Sequence, residues 1–496
     1  MVNMNDLTIL IASPLFFAFL ATIFSAFYKR AVKFFPLIAF LINAVVLFLN
    51  GESILYGPGI VISKTAGMSP PLSINMAMDK LSFLIAAIAT ILGLIVSIYN
   101  IFYIDDERDS KFYSLFILLV GGITWISVTG DLFNLFVAFE VTSIAAFGLV
   151  GFQRDKDSAE AGFKYLVLGI LAGTLLLIGI VLLYASTGTL NMADIATKVA
   201  SFTFLQKLVP FTFIFLGLAV EGALFPLNAW LPDAHPAAPS GVSAILSGIM
   251  TTSSIYAIIR ATVTIFNFYT VIPFLSVFAV LTLFFGEVSA FFQKDVKRML
   301  AYSTIGQTGL IFLAFSIGSA TAIGASFAQI INHSLSKSML FLVAGSFILQ
   351  THSREIESLK GLGYKMKLHS AVFVVGALSL IGLPPFFGFD SKLNLLFAIV
   401  DSVNFFTISY LVLVVAMSLV EAAYFFRIIK ILYTKSESDE KVTESKALLA
   451  PIVVLALILI VVSILPGQTI SFAKSIASQL VARSYYLQAV LGGGLR

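Results

Sequence analysis

Cysteine is absent from the 496 residues. That excludes disulfides, thiolate metal sites and Fe–S ligation by this chain. With only four histidines, neither a haem nor a multi-histidine metal site is expected, and no cofactor is assigned. Any redox chemistry then belongs to another subunit. Charge is scarce too: Asp, Glu, Lys and Arg make up 11%, against roughly 25% in soluble domains. Thirty scattered Lys and Arg with a net charge of +4 do not make a nucleic-acid face. What is abundant is apolar: 59% of residues are hydrophobic, 48 of them Phe, and the mean hydropathy is +1.01. A water-soluble enzyme and a disordered protein are excluded. The apolar runs are continuous and about 20 residues long, the length a helix needs to cross a bilayer. Barrel strands would alternate instead. The fold class is an all-α polytopic membrane protein.

Fourteen spans are expected, at 7–27, 33–50, 79–103, 112–129, 132–151, 161–185, 208–228, 237–265, 271–292, 297–317, 321–350, 370–397, 404–433 and 447–465. The N-terminus has no basic stretch or cleavage site, so 7–27 reads as a retained span. The longest loops are 51–78, 186–207 and 351–369, and 467–496 is a weakly amphipathic tail ending in Gly492-Gly493-Gly494. Lys and Arg set the orientation. With both termini outside the plasma membrane, 20 of the 30 fall on the inside, among them Arg108, Lys156, Arg298, Lys360 and Lys441. Eight fall outside, including Lys64, Arg260, Arg483 and Arg496; Lys337 and Lys392 lie within spans.

Two spans are interrupted by proline, one at Pro226 and the other at Pro384-Pro385. Proline frees a carbonyl and breaks the helix. Such backbone survives in a bilayer only under cover of protein or a wet cavity. Paired breaks in corresponding halves point to a transport site at a repeat interface. The expected organisation is helices 1–3 over 1–110, a first repeat over 111–265, an inverted second repeat over 271–433, and a last helix with its tail over 434–496.

A charge at the bilayer centre costs about 2.5–3.5 kcal/mol on insertion scales, so each one needs a reason. The candidates for an ion path are Glu140, Glu221, His333, Lys337, Asp390, Lys392 and Glu421, with Glu287 nearer a span end. His333 and Lys337 share a helix face at i, i+4, amid Asn332, Ser334, Ser336 and Ser338. That stripe reads as a proton relay, or more plainly as polar glue between helices. Glu140 and Glu221 have plainer readings as a packed carboxyl and a helix-end acid. Lys392 has Asp390 two residues earlier, a poorly aligned partner on an intact helix. Glu421, with Arg427 six residues on, fits either the path or an interfacial pair.

Several segments carry a family resemblance. They are Asp131-Leu-Phe-Asn-Leu-Phe…Glu140, Leu224-Phe-Pro-Leu-Asn-Ala-Trp-Leu-Pro-Asp-Ala-His235, the block Gln293 to Gly309 with its Ala-Tyr-Ser-Thr-Ile-Gly-Gln core, His333…Lys337, and Gly382-Leu-Pro-Pro-Phe-Phe-Gly-Phe…Lys392. Together they resemble the antiporter-like subunit family. Its members are the large membrane subunits of complex I, the D-type subunits of Mrp antiporters, and matching subunits of membrane-bound hydrogenases and related archaeal respiratory complexes. The resemblance covers roughly residues 75–435. It implies fourteen helices with two inverted five-helix repeats, partner membrane subunits, and a proton path along the midplane. Glu140, His333, Lys337 and Lys392 match the family's path residues. Two positions depart: Glu221 and Thr252 stand where the family usually has lysine.

Two nearby carboxylates in a low dielectric do not both ionise comfortably. Glu140 and Glu221 then share a proton, or hold a hard cation such as Na⁺ between their oxygens, or belong to a half that no longer pumps. The expected function is translocation of protons, Na⁺ or both, as one subunit of a redox-driven or Mrp-type complex. The alternatives are a structural subunit with an inactive first half, and a stand-alone transporter of small organic solutes.

Overall fold

Without water to bind, a backbone in lipid must satisfy its own polar groups, and a long apolar run does so as a helix. The structure, a computed structural model, describes residues 6–65, 68, 73–104, 109–402, 405–435 and 444–492. Arg108, Lys441, Arg496 and Gly493-Gly494 lie outside the described residues. The helices are α1 (Ile9–Phe24), α2 (Phe35–Leu55), α3 (Lys80–Tyr103), α4 (Asp109–Val128), α5 (Leu132–Val150) and α6 (Lys156–Thr187). Then come α7 (Phe204–Glu221), α8 (Ser240–Ile265), α9 (Ile272–Phe291), α10 (Val296–Ser316) and α11 (Ala320–Thr351). The last are α12 (Lys367–Ile381), α13 (Phe387–Asp401), α14 (Phe405–Leu432), α15 (Lys446–Ile464), α16 (Pro466–Val481) and α17 (Arg483–Leu491).

Every expected span holds a helix, with 208–228 and 370–397 interrupted at their prolines, but the count of fourteen crossings exceeds what length and apolarity support. Among the described residues eleven helices are long and apolar enough, or twelve if Ile356–Lys365 and Lys367–Ile381, bent by 118°, form one. The reasons are local. Helix α1 has 16 residues, while α12 and α13 have 15 each on either side of their break. Helix α11 has 32 residues, but its Asn, His, Ser and Lys stripe dilutes its hydropathy.

Two stretches are built alike. Asp131 caps α5 by accepting the Asn134 N–H at 2.9 Å, and Asp295 caps α10 by accepting the Arg298 N–H at 3.0 Å. Asp131 also bridges to Asn191, and Asp295 to Glu355. The helices that follow, α6 and α11, both have 32 residues and both end on a left-handed residue, Gly188 (φ 68°) and His352 (φ 51°). Beyond them α7 and α12 each stop at a break with a cis X-Pro bond, Phe225–Pro226 and Pro384–Pro385.

Helix α8 is buried along its length and contains two π-helical stretches, Leu246–Met250 and Arg260–Ile265. Helices α9 and α10 pack backbone to backbone, since a Cβ at Gly286 or Gly309 would strike the facing main chain. Small residues allow that approach between membrane helices. Between α2 and α3, β1 (Ile60–Lys64) and β2 (Asn75–Asp79) pair as an antiparallel ribbon, with β2 buried along its length. The tail docks onto it: Gln479 donates to the Gly59 carbonyl at 2.7 Å, and Tyr485 donates to the Pro58 carbonyl.

Candidate functional site

The buried charges of the second half converge between α9, α10, α11, α13 and α14. Lys392, on the first turns of α13, pairs with Glu421 of α14 at 2.7 Å. Its ammonium also donates to the Ile381 carbonyl at 3.0 Å, the last residue of α12. A cation suits the negative end of a broken helix. Neither partner foreseen for these residues is used: Lys392 does not pair with Asp390, nor Glu421 with Arg427. Among the described residues Asp390 has no ion pair, and Arg427 donates to the Phe291 and Gln293 carbonyls at 3.0 and 2.8 Å.

Two strings of polar side chains pass through this cluster. In one, Gln307 donates to the other Glu421 oxygen at 2.7 Å, Gln329 to Gln307 at 2.6 Å, and Ser391 to Gln329 at 2.5 Å. In the other, Lys337 donates to Ser303 at 2.5 Å, and the Tyr424 hydroxyl stands 2.6 Å from Ser303 and 2.8 Å from Glu287. His333 reaches α8 instead, its Nε2 2.9 Å from the Ser247 carbonyl at the first π-helical stretch of that helix. Its Nδ1 is buried with no hydrogen bond, as are the Ser334 and Ser336 hydroxyls. Asn332 and Ser379 bind each other across α11 and α12 at 2.6 Å. A largely apolar cleft of about 410 Å³ reaches Lys392 from the side, past Gly382, Leu383, Ser418 and Phe426.

The first half is differently furnished. Glu221 ends α7 fully buried, and both its oxygens are held, by Ser143 at 2.7 Å and Tyr165 at 2.6 Å. Tyr165 is fixed by stacking on Trp230, centroids 3.9 Å apart. Trp230 in turn donates its indole N–H to the Val220 carbonyl at 2.7 Å, and Thr282 accepts the Phe225 N–H at 2.9 Å. Protein side chains therefore cover the backbone opened at Pro226, as a break within a bilayer requires. Glu140 makes no hydrogen bond to Glu221, though it is near enough for its charge to be felt there. It is only partly buried on α5 and makes no hydrogen bond or ion pair among the described residues. Its carboxylate rests where a Cβ at Gly173 would stand. Thr252 turns back to its own helix, donating to the Ile249 carbonyl at 2.9 Å.

Sequence reasoning missed three features. Arg260, counted among the outside charges, is buried and bound bidentately by Asp79 at 2.6 and 2.8 Å. The rings of Tyr256 and Tyr486 lie 5.4 and 5.3 Å from its guanidinium. The signal was present: an arginine inside a span, and an Asp79-x-x-Ser82 helix start opposite it. Ser303 and Tyr424 carried no signal, because uncharged hydroxyls in apolar helices are common. At the Lys- and Arg-rich end, Lys164 and Arg298 both bind Asp233, at 3.0 and 2.8 Å, beside a cavity of about 190 Å³. That cavity is also lined by Asp157, Glu160, Asp295 and Arg354.

Residues 129–420 match the model of the NADH:quinone oxidoreductase/Mrp antiporter transmembrane family. The N-type subunit of the NADH-quinone oxidoreductase of Desulforudis audaxviator is 36% identical over 75% of this chain and 75% of its own length. The D-type subunit of the Na(+)/H(+) antiporter of Alkalihalophilus pseudofirmus is 31% identical over 98% of this chain and 100% of its own. Among solved structures, a chain of the membrane-bound sulfane sulfur reductase, an archaeal respiratory membrane complex, superposes with a TM-score of 0.91. It is 33% identical and covers 98% of this chain and 99% of that one. With residues 129–420 matched to the family and relatives that align over three quarters or more of this chain, this multi-pass integral membrane protein belongs to the NADH:quinone oxidoreductase/Mrp antiporter family of membrane subunits.

Proposed function

We propose that this antiporter-like, ion-translocating subunit of a multi-subunit complex moves protons through its second half, residues 271–433, by way of His333, Lys337, Lys392 and Glu421. The observation that carries the reading is the Lys392–Glu421 pair, 2.7 Å apart at a helix break and beside a lateral cleft. A buried ion pair with a nearby opening can be made and unmade by one proton, and intramembrane acids and bases mark such paths. In the first half, 111–265, Glu140 and Glu221 take a proton or a Na⁺ ion, with no lysine at 221 or 252 to answer them. Residues 1–110 and 434–496 flank the repeats. Asp390 has no described role in the relay geometry and serves at most the mouth of the break.

A second reading, that the first half is scaffold, draws support from Glu221 itself. Both its oxygens are already held by Ser143 and Tyr165, a static arrangement. The chain sits in the plasma membrane with both termini outside, beside other membrane subunits, as the bias of Lys and Arg argues.

The test is flux in vesicles carrying the complex purified through this chain. Lys392→Met is expected to abolish proton movement while the complex still assembles; unchanged flux removes the second half as the conduit. Orientation is tested by single cysteines at 156 and 360 in this cysteine-free chain. An impermeant reagent added outside cells should label neither, and labelling of either reverses the topology.

A further inference from the structure

We propose that Glu287 is a proton-loading acid of the second half, wired to Lys337 through the hydroxyls of Ser303 and Tyr424. The inference rests on the second half being the conduit. Its basis is a continuous run of short contacts: Lys337 Nζ to Ser303 Oγ at 2.5 Å, Ser303 Oγ to Tyr424 Oη at 2.6 Å, and Tyr424 Oη to Glu287 Oε2 at 2.8 Å. Tyr424 has a single hydroxyl proton. When it donates to Glu287, it accepts from Ser303, and Ser303 accepts from Lys337. Each hydroxyl then takes one hydrogen bond and gives one, the arrangement along which a proton can hop.

The step balances without a co-reactant. A Lys337 N–H bond breaks as its proton binds Ser303 Oγ. The Ser303 proton passes to Tyr424 Oη, and the Tyr424 proton to Glu287 Oε2. An ammonium and a carboxylate become an amine and a carboxylic acid, and rotation of the two hydroxyls resets the wire. The reverse sequence loads Lys337 from Glu287.

Two further observations point to Glu287 as a terminus. Its other oxygen, Oε1, is buried with no hydrogen-bond partner, pressed to where a Cβ at Gly306 would be. A fully buried carboxyl left half-unpaired is costly unless that oxygen has a use. Glu287 also lies one turn, about 6 Å, from Phe291, the end of α9, where Arg427 caps the Phe291 carbonyl at 3.0 Å. The glutamine string around Glu421 cannot relay in this way, because amide N–H donors do not readily pass on a proton; it holds the ion pair in place.

The experiment compares Tyr424→Phe, Glu287→Gln, the double variant and Lys392→Met in vesicles holding the assembled complex. Tyr424→Phe removes one oxygen and leaves the ring, so it is the variant that tests the wire if Glu287→Gln fails to assemble. Proton flux is expected to fall on the order of a hundredfold in Tyr424→Phe and Glu287→Gln, with the double variant no lower than either. Infrared difference spectra taken across pH should show a titrating buried carboxyl in wild type and Tyr424→Phe, and lack it in Glu287→Gln. Wild-type flux in Tyr424→Phe, or an unchanged infrared spectrum in Glu287→Gln, overturns the inference. If Lys392→Met abolishes flux while Tyr424→Phe does not, this wire alone fails. If Lys392→Met also keeps its flux, the reading of the second half fails with it.

Discussion

Gly173 and Lys337 are each the eighteenth residue of a 32-residue helix, and each helix follows an Asp-capped neighbour and ends on a left-handed residue. One position carries an amine and the other carries nothing. Where Lys337 reaches Ser303 in one half, Glu140 rests against bare backbone at Gly173 in the other. The halves share a frame and differ in chemistry.

Acids without a base should act as a unit. Glu140→Gln and Glu221→Gln are expected to alter Na⁺ or proton movement to a similar degree, with the double variant adding little, as for coupled residues. Flux of both ions in vesicles is the measurement. Wild-type behaviour in all three variants assigns the first half to scaffold.

Removing one member of a buried ion pair costs more than removing both. Lys392→Met leaves Glu421 buried with Gln307 alone, an expected loss of about 3–5 kcal/mol. The variant Lys392→Met with Glu421→Gln should recover most of that stability and none of the flux. Thermal unfolding of the complex reads the first quantity and vesicle assays the second. Equal stability in the single and double variants would show that Glu421 is held independently of Lys392.

The same logic applies at Asp79–Arg260, whose contacts are 2.6 and 2.8 Å and buried. Arg260→Met is expected to cost about 3–5 kcal/mol, and Tyr486→Leu about 0.5–2 kcal/mol through the lost ring–cation contact. Both should loosen the second π-helical stretch, residues 260–265, seen as faster backbone hydrogen exchange there. Unchanged exchange in Arg260→Met would mean the π-turns hold without the pair.

Outside the membrane, Glu444 accepts the backbone N–H groups of Leu368 and His369 at 3.0 and 3.2 Å, and its oxygen lies 3.0 Å from the His369 ring. Burial pushes its pKa up, but the hydrogen bonds from His369 and Leu368 outweigh that and hold it below the usual value. A depressed pKa stabilises the fold above the ordinary glutamate value, about 4.3. That contribution is lost as pH falls through the lower folded value. Protection of the Leu368 and His369 amides should therefore be present at neutral pH, fade in acid, and be absent throughout in Glu444→Ala. Equal protection in Glu444→Ala at neutral pH would remove the contact as an anchor.

The helices were legible because lipid leaves the backbone few choices, and the breaks because proline announces itself. The charged path residues were legible because each is expensive at that depth. Partnership was not. Lys392 has Asp390 two residues away in sequence yet binds Glu421, 29 residues on, because residues two apart on a helix point to different faces. Arg260 looked like an outside cation because its partner, Asp79, comes 181 residues earlier. Tyr424 and Ser303 were invisible because a hydroxyl's meaning depends on what stands 3 Å away.

The seal over Arg260 has a consequence for how the molecule is made. Tyr486 covers the guanidinium, and Arg483 caps the Thr264 and Ala196 carbonyls at 2.8 and 2.6 Å. Gln479 ties down Gly59 and the Lys80 N–H. All three lie more than 200 residues after the groups they close over. A nascent chain that has already inserted α8 therefore waits, with that face open, until the ribosome has delivered α16 and α17. The insertion machinery or an early-arriving subunit has that interval in which to cover this face, and a stop codon anywhere before α16 leaves Arg260 with Asp79 but without the ring of Tyr486.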